Sequence, residues 1–236
     1  MDCKNCINNR CFLNKYCLPD WLGYAQHQKI SKFYSSDKTI FSAGDLVRGI
    51  YIVCSGKAKV LLADNLGNNK VGNNIIRIAG NGQILGHRGF SEDMIYPITA
   101  ETLAESEISY LSNEDFFKLV MENKDLAFHM MMFFADELLR SEQKLSLLKY
   151  LSPIEKVVIA LLSIIQAFGF SDEETKKIDL GMNFNDFASF AKISKSKLES
   201  VITSLCKDKV IDRVKGDIFL LNMPELRKLS MLEASY

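Results

Sequence analysis

The sequence predicts an α+β protein of two domains connected by a long helix. Short apolar runs separated by glycines fill the region from about residue 38 to residue 111, a pattern typical of antiparallel strands joined by tight turns. An apolar repeat with alternating spacings of four and three follows, which indicates a long helix. The last third of the chain returns to shorter helical and strand segments. A length of 236 residues is sufficient for two domains of ordinary size.

Composition limits the partners of the chain. Lysine and arginine together number 29, as do aspartate and glutamate, so any affinity for nucleic acid must come from a local patch. The residues that follow Met1-Asp2-Cys3 show neither the charged region nor the apolar region of a signal peptide. The apolar stretches are shorter than the roughly 18–20 residues of a membrane span. We therefore expect a cytoplasmic protein that has no membrane partner.

Six strands are predicted in the first domain. They are short, rich in β-branched residues and bounded by glycines. In chain order they are Thr39–Phe41, Gly49–Cys54, Lys57–Leu61, Ile75–Ile78, Ile98–Ala100 and Ile108–Leu111.

The long helix follows a short helical segment at 116–120 and carries two apolar stripes. One stripe is an a/d seam at Ala127, Met131, Phe134, Leu138, Ser141, Leu145 and Leu148. The other contains Leu126, Met130 and Phe133. A helix with one stripe would only cover its own β domain, but two stripes allow one face to do so while the seam contacts a partner helix. The residues predicted to form a dimer seam are Met131, Phe134, Leu138 and Leu145.

The C-terminal region shows the element order of a winged helix-turn-helix. Ser152-Pro153 predicts the start of a helix at 154–167 that ends at Gly169. A polar loop at 171–175 leads to further elements, in the order strand, helix, turn, helix and hairpin. These are a strand at 178–180, a helix at 185–191, a turn at 192–194, a helix at 195–207 and two strands around Gly216-Asp217.

The second helix of this motif carries the features expected of a DNA-reading helix. Ser194 is placed to cap it, so its first N–H groups face a phosphate or a groove, flanked by Lys192, Lys195 and Lys197. Between residues 192 and 228 the chain has nine basic and five acidic residues. By charge alone these lysines could equally form a solvated helix face. The winged helix-turn-helix topology favours the interpretation that they bind DNA.

Four of the six cysteines lie at the N-terminus in the pattern C-x2-C-x4-C-x5-C, at Cys3, Cys6, Cys11 and Cys17. Thiolates at such spacings can bind a zinc ion or an iron–sulfur cluster, and a vestigial or redox-reactive group of thiols is the third interpretation. Cys54 and Cys206 are expected to be small buried side chains.

An ordered set of motifs resembles the Crp/Fnr family from about residue 30 to the C-terminus. The set is Gly44-Asp45, the run 51–60, the run 82–86, Thr99-Ala100-Glu101, the seam helix and the helix led by Ser194. The resemblance implies a cysteine-rich segment at 1–25, an antiparallel β-roll sensor of cupin-like jelly-roll type at 26–122, a dimerisation helix at 123–150 and a winged helix-turn-helix at 151–236. It also implies a homodimer that binds a palindromic site on double-stranded DNA, with a small-molecule effector and RNA polymerase as further partners.

The chain departs from the family pattern at the cassette that holds a cyclic nucleotide. The family's ribose-binding glutamate falls at His87, and its phosphate-binding arginine falls near Tyr96-Pro97. Cyclic AMP is therefore not the expected effector, since a buried phosphate needs a cationic partner. The predicted effector pocket comprises Gly86, His87, Arg88 and Thr99. The competing interpretation makes His87 and Arg88 surface or inter-domain polar residues.

The reading helix departs as well. The family's arginine, glutamate and arginine fall at Lys195, Ser196 and Ser200, so a different operator is expected. The predicted DNA contacts are Lys192, Ser194, Lys195, Ser196, Lys197 and Ser200.

Two other functions compete with DNA-binding regulation. Oxygen-sensing Fnr members have a similar cysteine set and a fourth ligand in the roll, at a position that falls at Ser109 here. An iron–sulfur or thiol-based sensor with a degenerate DNA-binding domain is therefore the alternative. An enzyme is not expected, because Gly80, Gly82 and Gly86 do not form a dinucleotide loop and the three histidines are scattered.

Overall fold

The computed structural model describes residue 3 and residues 10–62, 74–147 and 150–230, apart from the side chains of 143–147. The chain forms two compact units, Met1–Gln143 and Lys144–Tyr236. Among the helices described, none is both long enough and apolar enough to span a membrane.

The first unit contains two four-stranded antiparallel sheets. One has the order β1 (Ile30–Tyr34), β8 (Ser106–Ser112), β3 (Gly49–Ser55), β6 (Ile84–Leu85). The other has the order β2 (Thr39–Phe41), β7 (Ile98–Thr102), β4 (Ala58–Leu62), β5 (Ile75–Ala79). All six predicted strands are confirmed. Strands β1 and β6 were not predicted, because β1 is largely exposed and lacks an apolar alternation and β6 has only two residues.

Alternate residues of the first sheet serve two cores. Val53 and Ile108 join residues of the second sheet, such as Val60 and Ala100, in the core between the sheets. The opposite face, which includes Ile50 and Leu111, is covered by helices. These are α1 (Phe12–Tyr16), α2 (Pro19–Gln28), α3 (Asn113–Glu122) and α4 (Lys124–Leu147). The predicted α+β fold with an antiparallel roll is confirmed.

Helix α4 presents the two predicted stripes differently. Leu126 and Met130 are buried in the core beneath the first sheet, and Phe133 packs against it. The seam residues Met131, Phe134 and Leu138 are exposed. Leu145 and Leu148 lie outside the described side chains. One stripe thus covers the roll, while the seam leaves an apolar face open.

The second unit begins with α5 (Pro153–Phe168), whose first turn is closed by a capping box between Ser152 and Glu155. A third sheet has the order β11 (Ile211–Val214), β12 (Asp217–Leu220), β10 (Lys177–Ile178), β9 (Phe170–Asp172). The remaining helices are α6 (Phe184–Phe190), α7 (Lys195–Lys207) and α8 (Met223–Lys228). The predicted loop at 171–175 is exposed, as expected, but its first two residues belong to β9, where Asp172 pairs with Lys177.

Candidate nucleic-acid interface and sensor site

Helices α6 and α7 each begin at a polar N-cap residue. Asn183 accepts hydrogen bonds from the N–H groups of Asn185 and Asp186, both at 2.9 Å. Ser194 Oγ accepts one from the Lys197 N–H at 3.3 Å, as predicted for the cap of α7. Lys192 lies in the turn between the helices with a φ of 57°, in the left-handed region that allows the chain to reverse tightly.

Helix α7 has one buried face and one exposed face. Leu198, Val201, Ile202 and Leu205 are buried in the unit. Five of the predicted DNA contacts are exposed together at the N-terminal end of the helix: Ser194, Lys195, Ser196, Lys197 and Ser200. The sixth, Lys192, is half-buried in the preceding turn. The fold thus places the predicted contacts at a helix N-terminus that is open to solvent.

The connection between α7 and the hairpin of β11 and β12 was not predicted from the sequence. The Glu199 carboxylate on α7 forms an ion pair with Nη1 of Arg213 on β11. The same guanidinium lies over the ring of Phe184, at 4.5 Å from its centroid. Arg213 therefore neutralises the acidic group on α7 and ties the hairpin to both helices. No local pattern in the sequence indicates a pair 14 residues apart.

We expect Arg213→Ala to lower the free energy of unfolding of the second unit by about 1 kcal/mol. Both partners are about one-third exposed, so solvent screens much of the ion pair, and the contact with the ring contributes a similar small amount. Urea unfolding followed by far-UV circular dichroism measures the effect. Lys215→Ala, at the exposed hairpin turn, is the matched control. Equal midpoints for the two variants would contradict this expectation.

The cassette turn follows β6. Gly86 has a φ of 87°, and His87–Gly89 form a 3-10 turn. The interpretation of His87 as a surface residue is wrong: the residue is only 1% exposed, and its ring packs against Phe133 and Phe134 of α4. Thr99 is buried on β7, where its hydroxyl accepts a hydrogen bond from Ala43 N–H at 3.0 Å. Gly86, His87 and Arg88 share one turn, whereas the Thr99 hydroxyl serves the loop after β2.

Glu137 of α4 is the residue that sequence reasoning missed here. Arg88 Nη2 donates to its Oε2 at 2.8 Å, and His87 Nε2 is 3.7 Å from the same oxygen. Arg77 Nε, from β5, is 3.9 Å from Oε1. Burial alone would raise the pKa of Glu137, but the charges of Arg77 and Arg88 and the hydrogen bond from Arg88 outweigh burial and hold the pKa well below its usual range. The carboxyl is therefore ionised.

We expect the first unit to lose stability on acidification from pH 7.5 to 5. Burial lowers the pKa of His87 and outweighs the opposing effect of Glu137, while Arg77 and Arg88 lower it further. In the unfolded chain the His87 imidazole takes up a proton near pH 6.5, whereas in the folded chain it does so only at lower pH. Acidification therefore lowers the free energy of unfolding, by at most about 1.4 kcal/mol per pH unit. Glu137 also destabilises the folded unit on acidification, but at lower pH, because its pKa is depressed in the folded chain.

Fluorescence of Trp21, the one tryptophan of the chain, reports denaturant unfolding of this unit at each pH. His87→Leu should flatten the dependence between pH 7.5 and 5. The same substitution at the exposed His27 is the control and should leave the dependence as in the wild type. A steep dependence retained in His87→Leu would assign the effect to other groups.

The described N-terminal cysteines do not assemble a metal site. Within the described part of the chain, no three His, Cys, Asp or Glu side chains are placed to hold a metal ion, and Cys6 lies outside that part. Cys17 is buried and accepts a hydrogen bond from Asn123 Nδ2 at 3.3 Å. Burial raises the pKa of its thiol to about 11, so it is protonated at neutral pH.

The two remaining cysteines are half-buried, so the prediction that they are buried was wrong. Cys54 Sγ is 2.9 Å from Ser109 Oγ, and Ser109 Oγ is 2.8 Å from Ser31 Oγ. Ser109, the position of the Fnr ligand, thus joins a row of polar groups across three strands.

The chain is similar to known proteins in both sequence and structure. Residues 31–123 match the cyclic nucleotide-binding domain family. FixK2 from Bradyrhizobium japonicum superposes with a TM-score of 0.71 at 16% identity, over 85% of this chain and 96% of that protein. TTHA1359, a transcriptional regulator of the CRP/FNR family from Thermus thermophilus, superposes with a TM-score of 0.64 at 19% identity, over 86% and 98%. The chain has the Crp/Fnr fold.

A sequence relative agrees with the structural matches. The chain is 23% identical over 206 residues to the cyclic AMP receptor protein of Thermus thermophilus, with 86% of each covered. Tyr96 of this chain lies at the predicted phosphate-binding position, where it is buried and donates a hydrogen bond to Gly49 O at 2.8 Å. A tyrosine engaged in this way provides no cation for a cyclic phosphate.

Proposed function

We propose that the chain is a DNA-binding transcription regulator that acts as a homodimer on a palindromic operator. The observation that carries this proposal is the exposed N-terminal end of α7, where two lysines and three serines surround a capped helix start. Lysines there neutralise phosphates and donate to guanine, and serine hydroxyls pair with several base edges. The ion pair of Glu199 with Arg213 removes the one acidic group of α7 from competition with phosphate.

The exposed seam of α4 supports the homodimer. Met131, Phe134 and Leu138 are apolar, 39–61% exposed, and repeat at the a/d spacing of a coiled coil. Pairing two copies along this seam would present two α7 helices to half-sites about 34 Å apart on one face of a duplex. The regulator would work in the cytoplasm and act on RNA polymerase, and its sensor unit would respond to an effector other than cyclic AMP. No enzymatic activity is proposed.

Titration of labelled DNA from the chain's own promoter region tests the proposal. Fluorescence anisotropy in about 50 mM salt should show binding that weakens by orders of magnitude at about 200 mM, because each phosphate contact releases counterions. Unlabelled promoter DNA should compete better than scrambled DNA of the same composition. An absence of binding at the lower salt concentration would overturn the proposal and favour a sensor with a degenerate DNA-binding domain.

A further inference from the structure

Glu137 occupies an apolar position of α4. The stripe that covers the roll runs through Leu126, Met130 and Phe133, with spacings of four and three. The next position of that stripe, four residues on, is Glu137. Its side chain is only 15% exposed. A carboxylate on a face that otherwise packs against a core is unfavourable unless the surface opposite supplies charge.

The roll supplies that charge from three residues. Arg88 and His87 belong to the cassette turn, and Arg77 comes from β5 beside it. Arg77 is oriented by a hydrogen bond from its Nη1 to Ile84 O at 2.9 Å, so its Nε is directed towards Glu137. Two guanidinium groups and an imidazole thus surround one carboxylate, an arrangement that sites for small oxyanions use.

His87 shows that the site is incompletely filled. Its side chain is 2% exposed, and neither Nδ1 nor Nε2 has a hydrogen-bond partner among the described residues. At 3.7 Å, Nε2 is too far from Glu137 Oε2 for a hydrogen bond. Buried polar atoms are nearly always paired in native proteins. The unpaired imidazole therefore points to a site whose best occupant is an anion less constrained than a side chain on α4.

We propose that Arg77, His87 and Arg88 form an oxyanion site in which Glu137 acts as an internal ligand that holds α4 against the roll. The site takes a carboxylate or phosphate group from solution once Glu137 is removed. In the intact chain, the helix that carries the seam is positioned on the sensor without a diffusible anion. The consequence for operator binding rests on the proposed function, whereas the site itself does not.

Replacement of Glu137 with alanine in the full chain opens the site to added anions. In a chloride buffer, the melting temperature of Glu137→Ala, measured by Trp21 fluorescence, should be lower than that of the wild type. Sodium acetate at about 100 mM and constant ionic strength should recover at least half of that loss, because a ligand that binds only the folded state raises its melting temperature. The wild type should not respond to acetate, because the Glu137 carboxylate already occupies the position of the anion.

Two further arms define the ligand and the site. Inorganic phosphate in place of acetate shows whether the site takes phosphate as well as carboxylate groups; recovery by either supports the proposal. The double variant Glu137→Ala, Arg88→Ala should not recover. Equal recovery in the double variant, or no recovery of Glu137→Ala by either anion, would overturn the proposal. If Glu137→Ala does not fold, Glu137→Gln removes the charge from a side chain of the same size and should respond in the same way with a smaller amplitude.

Operator binding separates this proposal from the proposed function. Recovery by acetate with no DNA binding in any variant would refute the regulator and leave the internal ligand in place. DNA binding by the wild type without recovery of Glu137→Ala would do the reverse. If both hold, Glu137→Ala should bind operator at least about tenfold more weakly, and acetate should restore part of that affinity, since coupling between sites is reciprocal.

Discussion

Replacement of Lys195 with glutamate should weaken operator binding about 100-fold. Lys195 is exposed at the first turn of α7, and the loss of one contact to a base or phosphate costs about 1–3 kcal/mol. A homodimer carries the change twice, and the introduced carboxylate repels the phosphates. Fluorescence anisotropy with promoter DNA at fixed salt measures the change in the dissociation constant.

Lys207→Glu is the matched control, because it makes the same charge change at an exposed site on the last turn of the same helix. It should weaken binding only through the small change in net charge. Both variants should remain folded at the assay temperature, since neither side chain is buried and a charge change at a helix end alters the free energy of unfolding by only about 0.3–1 kcal/mol. A similar loss of affinity in the two variants would indicate that the chain contacts DNA through overall charge and not through the N-terminal end of α7.

Replacement of Leu138 with glutamate should convert the homodimer into monomers at micromolar concentrations. Leu138 is 61% exposed in the single chain and lies on the seam of α4. Pairing of two copies would bury two carboxylates in an apolar contact, at a cost of several kcal/mol, so the dimer dissociation constant should rise by a factor of about 100 or more. Sedimentation equilibrium measures it.

Leu139→Glu introduces the same charge one residue along the helix. Adjacent residues on an α-helix point about 100° apart, so this side chain lies off the seam, and it is also well exposed, at 45%. It should leave the dimer intact. Operator affinity should fall with Leu138→Glu and not with Leu139→Glu. A wild-type chain that remains monomeric at high concentration would contradict the seam itself.

The elements that the sequence predicted are those set by local rules. The cap at Ser194 and the apolar periodicity of α7 are readable within a few residues, and the structure has the helix at the predicted bounds. The two stripes of α4 were also legible, because a helix repeats its faces every few residues. Strand β1 was not, since its residues are mostly exposed and their pairing with β8 is fixed by partners about 75 residues away.

The charge cluster of the sensor was beyond sequence reasoning for a related reason. His87 and Arg88 were singled out as cassette positions, but their contact with Glu137 joins residues about 50 positions apart. Nothing in the local pattern distinguishes Glu137 from a solvent-facing acidic residue on a long helix. The same holds for Glu199 and Arg213, whose pairing appears only once β11 lies beside α7.

Hydroxyl-radical footprinting of the promoter DNA tests most directly whether two copies of α7 read one duplex. The proposed homodimer predicts two protected patches of equal depth, related by a two-fold axis, with centres one helical turn or about 10 base pairs apart. Lys195→Glu should erase both patches together. A single patch, or protection that extends uniformly along the fragment, would contradict the account.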